Sequence, residues 1–322
     1  MKYFDYENVL SPRNLKLPLD LKRLFGGLPK VALEIGFGNG EYTVKWAAAN
    51  PDTLLIGLEV SFASVTRCAR RIADIELSNL KILCADARFM MKELFADETL
   101  DRVMMNFPCP WPKTRHAKRR VTAKAFADSL AAVLKIGGVF ELVTDEGWYA
   151  KEALQALSRH KTFPSAAIEE GFSRPVTTKY ERKWLEMGKD IFRLTAVKEK
   201  KFTVRRETWG FDWGERDMPL HMKTGKPAPK EEELAFLLGA SGARGDARWV
   251  FKEHYVAGGD GKKFLVKTVS IDDEFEQRYY LQVTERGDNA LVKPDDTAKI
   301  FLTPSVRLAV EDLTRRLAEV VP

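Results

Sequence analysis

Between about residues 30 and 200 the chain alternates short apolar runs with longer stretches of helical periodicity. The runs are VALEIGF (31–37), LLIGLEV (54–60), LKILCAD (80–86), DRVMMNF (101–107), GVFELVT (138–144), AAIEEGF (166–172) and DIFRLTAV (190–197). The early runs are nearly unbroken in Val, Ile, Leu and Met, as befits strands covered by helices on both faces. Each intervening segment is long enough for a right-handed crossover, so the rhythm predicts an α/β domain with a doubly wound, mostly parallel sheet. Ligand is then expected at the carboxyl ends of the strands.

Beyond residue 200 the alternation stops. The stretch TWGFDWGERDMPLHMKTGKPAPKEEE (208–233) mixes Gly, Pro and both charges without a period, and reads as a linker or irregular arm. After it, RWVFKEHYVA (248–257), KKFLVKTVSI (262–271), QRYYLQVTER (277–286) and KIFLTP (299–304) read as antiparallel strands, the first two parted by the turn-forming GGDG of 258–261. An amphipathic helix from about Ser305 to Val321 follows. The expected organisation is a domain over 1–200 and a smaller α+β domain over 201–322.

With 322 residues, 45% of them hydrophobic and 30% charged, the chain has enough apolar material for two packed cores, which excludes wholesale disorder. No window has the apolar length of a membrane span, and the first twenty residues lack the apolar centre of a secretory signal. A cytoplasmic location is expected. The three cysteines, Cys68, Cys84 and Cys109, lack paired metal-ligand spacing, so no metal is expected. The net charge of +6 is compatible with a polyanionic partner, and its placement matters more than its sum.

The first run leads into Glu34-Ile35-Gly36-Phe37-Gly38-Asn39-Gly40-Glu41 and then a helix. Glycines at such a turn allow positive φ and close approach of a ligand to the backbone. The third glycine arrives one residue early for a dinucleotide fingerprint, which argues against a nicotinamide-dependent oxidoreductase. Glu34 would repel a pyrophosphate and suits a cationic ligand. Glu59 follows about twenty residues after the turn, where an acid can accept from both ribose hydroxyls, and Asp86 ends the next run, beside where an adenine would lie. Asp86 taken alone also fits a helix N-cap. The segment from Asn106 to Arg120 contains three prolines in five residues, then Lys113, Arg115, His116, Lys118, Arg119 and Arg120. The prolines stiffen the loop, and the cations behind them are what phosphate contacts require, although the last three also fit a solvated helix start. Trp111 could stack on a base or pack beneath the loop.

Taken together, Glu34-Ile35-Gly36-x-Gly38-x-Gly40, Gly57-Leu58-Glu59-Val60, Pro108-x-Pro110-Trp111-Pro112-Lys113-x-Arg115-His116-x-Lys118-Arg119-Arg120, Thr144-Asp145 and Thr178-Lys179-Tyr180-Glu181 resemble the bacterial tRNA guanine-N7 methyltransferases. The resemblance covers roughly residues 1–200. It implies a Rossmann-like class I methyltransferase that passes the methyl of S-adenosylmethionine to N7 of a guanosine in the variable loop of tRNA. It also implies that Glu34, Gly36, Gly38, Gly40, Glu59 and Asp86 hold the donor, and that Lys113, Asp145, Thr178, Lys179, Tyr180 and Glu181 contact the target nucleoside. Asp145 and Glu181 would accept from the guanine edge, with RNA backbone on Arg115, Lys118, Arg119 and Arg120.

The family has an acid between the two prolines, held to be catalytic, where this chain has Cys109. A neutral thiol is a poor substitute for a carboxylate anchor. Three readings follow: Asp145 compensates by positioning the target, activity is diminished, or Cys109 acts as a thiolate. The alternative function is a tRNA-binding protein on this fold without catalysis. The C-terminal extension lies outside the pattern; its interleaved cations and aromatics fit RNA contact, and they equally fit a solvated sheet face.

Overall fold

A computed structural model describes residues 7–10, 17–22, 26, 30–75, 77–110, 120, 122–206, 220–257, 263–273, 275–295 and 300–320. The chain divides into two compact units, with the boundary between Arg206 and Glu207.

The first unit holds an eight-stranded sheet. Its elements are β1 (Val9–Leu10), β2 (Lys30–Ile35), α1 (Glu41–Ala49), β3 (Thr53–Glu59), α2 (Phe62–Ala73), β4 (Leu80–Cys84), α3 (Ala87–Leu94), β5 (Leu100–Asn106), α4 (Lys124–Val133), β6 (Leu134–Thr144), α5 (Gly147–Arg159), β7 (Ala167–Glu170), α6 (Lys179–Glu186) and β8 (Phe192–Val197). The strand order is β1-β4-β3-β2-β5-β6-β8-β7. The pairs from β1 through β6 are parallel, and β8 alone runs against its neighbours. This is the expected doubly wound, mostly parallel sheet. The short edge strand β1 has too little sequence to show a period.

One layer of the core joins Ala32, Leu55, Leu80, Ile82 and Met104 of the central strands to Val65, Cys68, Ala69 and Ile72 of α2. Those α2 positions recur at helical spacing, so a single face is buried. Three of the helices, α2, α3 and α6, begin at side-chain caps. Ser61 caps α2 through Ser64 N at 3.3 Å, and Asp86 caps α3 through Arg88 N at 3.0 Å. Thr178 and Glu181 form a reciprocal capping box at the start of α6, with bonds of 2.9 and 3.2 Å.

The second unit contains β9 (Met222–Lys223), a 3₁₀ turn (Glu231–Leu237), β10 (Ser241–Arg244), β11 (Ala247–Val256), β12 (Lys263–Asp272), β13 (Phe275–Arg286), β14 (Asn289–Pro294) and α7 (Pro304–Val320). Its sheet is antiparallel throughout, ordered β10-β11-β12-β13-β14-β9. Alternation is clean in β12, where Phe264, Val266, Thr268, Ser270 and Asp272 are buried. This inner face joins Val306, Ala309, Val310, Leu313 and Leu317, one stripe of α7. The 208–233 stretch, expected to be irregular, contains β9 and the start of the 3₁₀ turn.

One strand expectation is corrected: residues 300–303 of KIFLTP are irregular. The Gln277 side chain brackets Phe301, donating to its carbonyl at 3.0 Å and accepting from its N–H at 2.8 Å, so a side chain takes the place of a ladder partner.

Candidate functional site

The carboxyl ends of β2 to β6 gather the acids that the sequence singled out. Glu34, one residue from the end of β2, is 1% exposed. Asn106, which ends β5, donates to its Oε1 at 3.0 Å. Glu34 Oε2 and the Thr43 hydroxyl are both buried; Thr43 interacts with the Glu34 carboxyl, but neither atom completes a hydrogen bond of full geometry among the described residues. Burial pushes the Glu34 carboxyl up to about 7, against the opposing pull of Thr43, Asn106 and Arg174, while the charge of Glu59 adds to the rise. A buried carboxylate with an unmet oxygen is costly unless something cationic or donating meets it.

The glycine turn serves two purposes. Gly36 and Gly38 have φ of +75° and +57° and open space where a Cβ would stand, so the backbone there is bare toward a ligand. At Gly40, φ is +76° and a Cβ would come within 2.2 Å of Cys68 Sγ, so this glycine lets α1 and α2 approach. Glu59 braces the turn from β3: its Oε2 accepts from Gly38 N and its Oε1 from Ser61 N, both at 2.9 Å. Each oxygen keeps a further lone pair for a ribose hydroxyl. Asp86 is the α3 N-cap, and its carboxylate also forms an ion pair with Arg88, so the structure gives it the cap role.

The bare turn, the braced Glu59 and the unmet Glu34 oxygen suit a nucleoside carrying positive charge. They fit S-adenosylmethionine, with its ribose hydroxyls and a methionine end bearing sulfonium and ammonium.

Arg174, in the segment before α6, was missed by sequence reasoning. Its guanidinium is buried and donates to Glu181 Oε2 at 2.8 and 3.1 Å, to Asn106 Oδ1 at 2.7 Å and to the Tyr42 hydroxyl at 3.0 Å. It lies 3.6 Å from Glu141 Oε1 and stacks 4.4 Å from the Tyr42 ring centre. The readable signal was an arginine four residues ahead of a Thr-x-x-Glu capping box, but nothing local says that it reaches back to residues 42 and 106.

The remaining predicted residues divide. Asp145, just past β6, pairs through Oδ2 with Lys189 at 2.7 Å. Lys189 Nζ sits 3.9 Å from the Trp184 ring centre. Lys179 and Tyr180 are exposed at the start of α6, with Tyr180 at 56%, which excludes a core role for that ring. Glu181 points inward instead. It is fully buried, bonded to Arg174 and Thr178, and its Oε1 has no partner among the described residues. The expectation that Glu181 meets the guanine edge is therefore corrected to an internal anchor in this structure. Arg120 is corrected likewise. It is buried and its Nη1 bonds both Glu152 oxygens at 2.9 Å, because Thr122 and Glu152 fix it against α5 instead of leaving it in a solvated tail. Cys109 is exposed. Trp111, Lys113, Arg115, His116, Lys118 and Arg119 lie outside the described residues. No group of His, Cys, Asp or Glu among the described residues has the arrangement of a metal site. No helix among them is long and apolar enough to cross a membrane.

Comparison with known proteins agrees with this geometry. A family model described as "Putative methyltransferase" matches residues 29–194. A tRNA (guanine-N(7)-)-methyltransferase of Thermotoga maritima is 36% identical over 97% of this chain and 97% of its own length. One of Aquifex aeolicus is 29% identical, covering 90% and 95%. One of Thermus thermophilus is 37% identical over 59% of this chain and 61% of its own. The strand-end acids and bare glycine turn thus sit in a sequence with near-full-length kin, and the chain belongs to the tRNA (guanine-N7-)-methyltransferase family.

Proposed function

We propose that the strand-end cluster holds S-adenosylmethionine while a guanosine of tRNA is presented beside Asp145 and receives the methyl group on N7. The observation that carries this reading is the fully buried Glu34 carboxyl, held by Asn106 and Thr43 with no salt-bridging cation among the described residues, next to a glycine turn open to a ligand. The donor supplies an electrophilic methyl on a sulfonium sulfur. Bound there by Glu34, Glu59 and the 36–40 turn, it would supply that methyl to guanine N7, which offers an in-plane lone pair. N7 has no proton to lose, so the reaction needs alignment more than a base. The chain's own contribution is positional. Glu59 and the backbone of 36–40 fix the nucleoside end of the donor, and Glu34 meets its cationic end. Asp145, held by Lys189 through Oδ2, offers Oδ1 to the guanine N1 and N2 donors, a contact worth about 1–3 kcal/mol in discrimination. Its charge also favours the methylated base, which gains a positive charge.

Exposed Lys179 and Tyr180 complete the target side, with Tyr180 available for stacking on the base; Lys113 is assigned to the target nucleoside by resemblance, and Arg115, Lys118 and Arg119 to RNA phosphate. The second unit is assigned to RNA contact as well, on the outer sheet face bearing Arg248, Lys263 and Tyr255. Paired charges there, Lys267 with Glu253 and Arg278 with Glu276, lower its net field, so its contribution is modest.

Mass spectrometry of nucleosides from tRNA incubated with the protein and S-adenosylmethionine tests the reading. New 7-methylguanosine that requires both is the expected result. Bound tRNA that stays unmodified would contradict it.

A further inference from the structure

The strand-end cluster contains more buried negative than positive charge. Glu34, Glu141 and Glu181 lie around one largely buried guanidinium, that of Arg174, while the more exposed Arg102 and Arg193 approach Glu141 at 3.4 and 3.9 Å. Arg174 is also the only described residue that bonds both Asn106 and Glu181. Through Asn106 Oδ1 it turns the amide so that Nδ2 meets Glu34 Oε1, which leaves Oε2 as the unmet oxygen. Through Glu181 it holds the capping box that starts α6, from which Lys179 and Tyr180 project. Its planar fork serves both at once, a geometry that a lysine cannot reproduce.

We propose that Arg174 is a positioning residue that sets the donor-facing carboxylate of Glu34 and the target-facing turn of Thr178–Glu181 from one guanidinium, so that donor binding and target binding depend on the same side chain. This rests on the methyl-transfer reading of the site. Electrostatics supply a readout that a merely structural residue would not move. The groups facing Glu34 are Arg174 from the segment before α6, Glu59 from β3, Tyr42 and Thr43 from α1, Cys68 from α2 and Asn106 from β5. Burial pushes the Tyr42 phenol upward and the Cys68 thiol up to about 12, so both stay neutral near pH 7. Arg174 is then the one positive charge among these groups. It favours the ionised Glu34 that a cationic donor requires.

The test measures S-adenosylhomocysteine binding by calorimetry from pH 5.5 to 8, together with kcat, the KM for tRNA and the melting temperature, in wild type, Arg174→Gln, Arg174→Lys and Asn106→Ala. Arg174→Gln is expected to move the pH midpoint of donor binding upward by roughly half a unit or more and to weaken binding at pH 7 by about tenfold. Arg174→Lys is expected to move the midpoint less than Arg174→Gln, because the charge remains, and to raise the KM for tRNA, because the fork is lost. Asn106→Ala leaves the charge in place and is read in the event that Arg174→Gln does not fold. Loss of the Asn106 bond to Glu34 removes a contact favouring the ionised form, so its midpoint is also expected to rise. Variants that melt lower while keeping the wild-type midpoint and KM would overturn the inference and leave Arg174 as packing alone. A wild type with no donor affinity would instead overturn the methyl-transfer reading, and this inference with it.

Discussion

In the antiparallel sheet of the second unit, buried polar side chains close on one another. Asp272 accepts from Ser305 N at 2.8 Å and bonds its hydroxyl, Gln277 brackets Phe301, and the Trp249 indole donates to Asp312 at 2.9 Å. Among the described residues, the atoms there without a full hydrogen bond are neutral: the Ser270 and Tyr279 hydroxyls, which interact with each other, and one ring nitrogen of His254. At the strand ends of the parallel sheet, the unmet atoms include carboxylate oxygens of Glu34 and Glu181. An unmet hydroxyl is a modest penalty, whereas an unmet carboxylate oxygen costs considerably more. The difference separates a region whose buried polar groups are mostly neutral or paired from one that concentrates buried carboxylates, as the proposed cation site requires.

The comparison can be broken at either end. The largest expected effect is on the second unit. Phe251 is fully buried in its core, and Phe251→Ala should lower that unit's stability by about 3–5 kcal/mol in denaturant unfolding, with donor affinity unchanged. Donor affinity falling in step with stability would merge the two regions into one functional body. On the incomplete side, Glu34 has a folded-state value near 7, above its ordinary 4.5. A raised acid binds its proton more tightly when folded, so this group's favourable contribution is full below pH 4.5. About 3 kcal/mol of it is lost as pH rises through 7. Glu34→Gln should accordingly make the donor-free protein more stable than wild type at pH 8 by about that amount, while removing donor binding. A variant less stable than wild type at pH 8 would show that Glu34 is satisfied after all.

A somewhat smaller effect is expected from Glu59→Ala, which removes the acceptor for Gly38 and Ser61 and the ribose partner together. Affinity for S-adenosylhomocysteine should fall about 100-fold, near 2.7 kcal/mol. Affinity within threefold of wild type would reject the ribose assignment. The smallest effect concerns Cys109, exposed where relatives in the resemblance have an acid. If transfer depends on positioning, Cys109→Ala keeps the single-turnover rate within about threefold, under 1 kcal/mol of barrier. A loss of about 100-fold with intact folding would return the residue to the chemistry.

Much of this site was legible in the sequence because its first members are strand-end residues. Glu34, Glu59 and Asp86 each fall at or near the end of an apolar run, and the alternation of runs with helical stretches is enough to place all three on one edge of a parallel sheet. The network behind them was not legible. Arg174 meets Asn106 and Tyr42 across 68 and 132 positions, a pairing that only the completed sheet order brings about. Glu181 and Arg120 misled for a related reason. Charged residues in a motif read as solvent-facing contacts, yet each has a buried partner supplied by another element, Arg174 in one case and Glu152 in the other. In the second unit, alternation marked β11, β12 and β13, while KIFLTP had strand composition but its partner was a side chain.

The central claim is that a cation completes the strand-end cluster by meeting ionised Glu34. Calorimetry of S-adenosylmethionine binding between pH 5.5 and 7.5, in buffers of different ionisation enthalpy, tests it directly. The predicted result is an affinity that climbs up to about tenfold per pH unit below 7 and levels above it. Proton release should accompany binding near pH 6.5. An affinity independent of pH, with no proton released, would contradict the account.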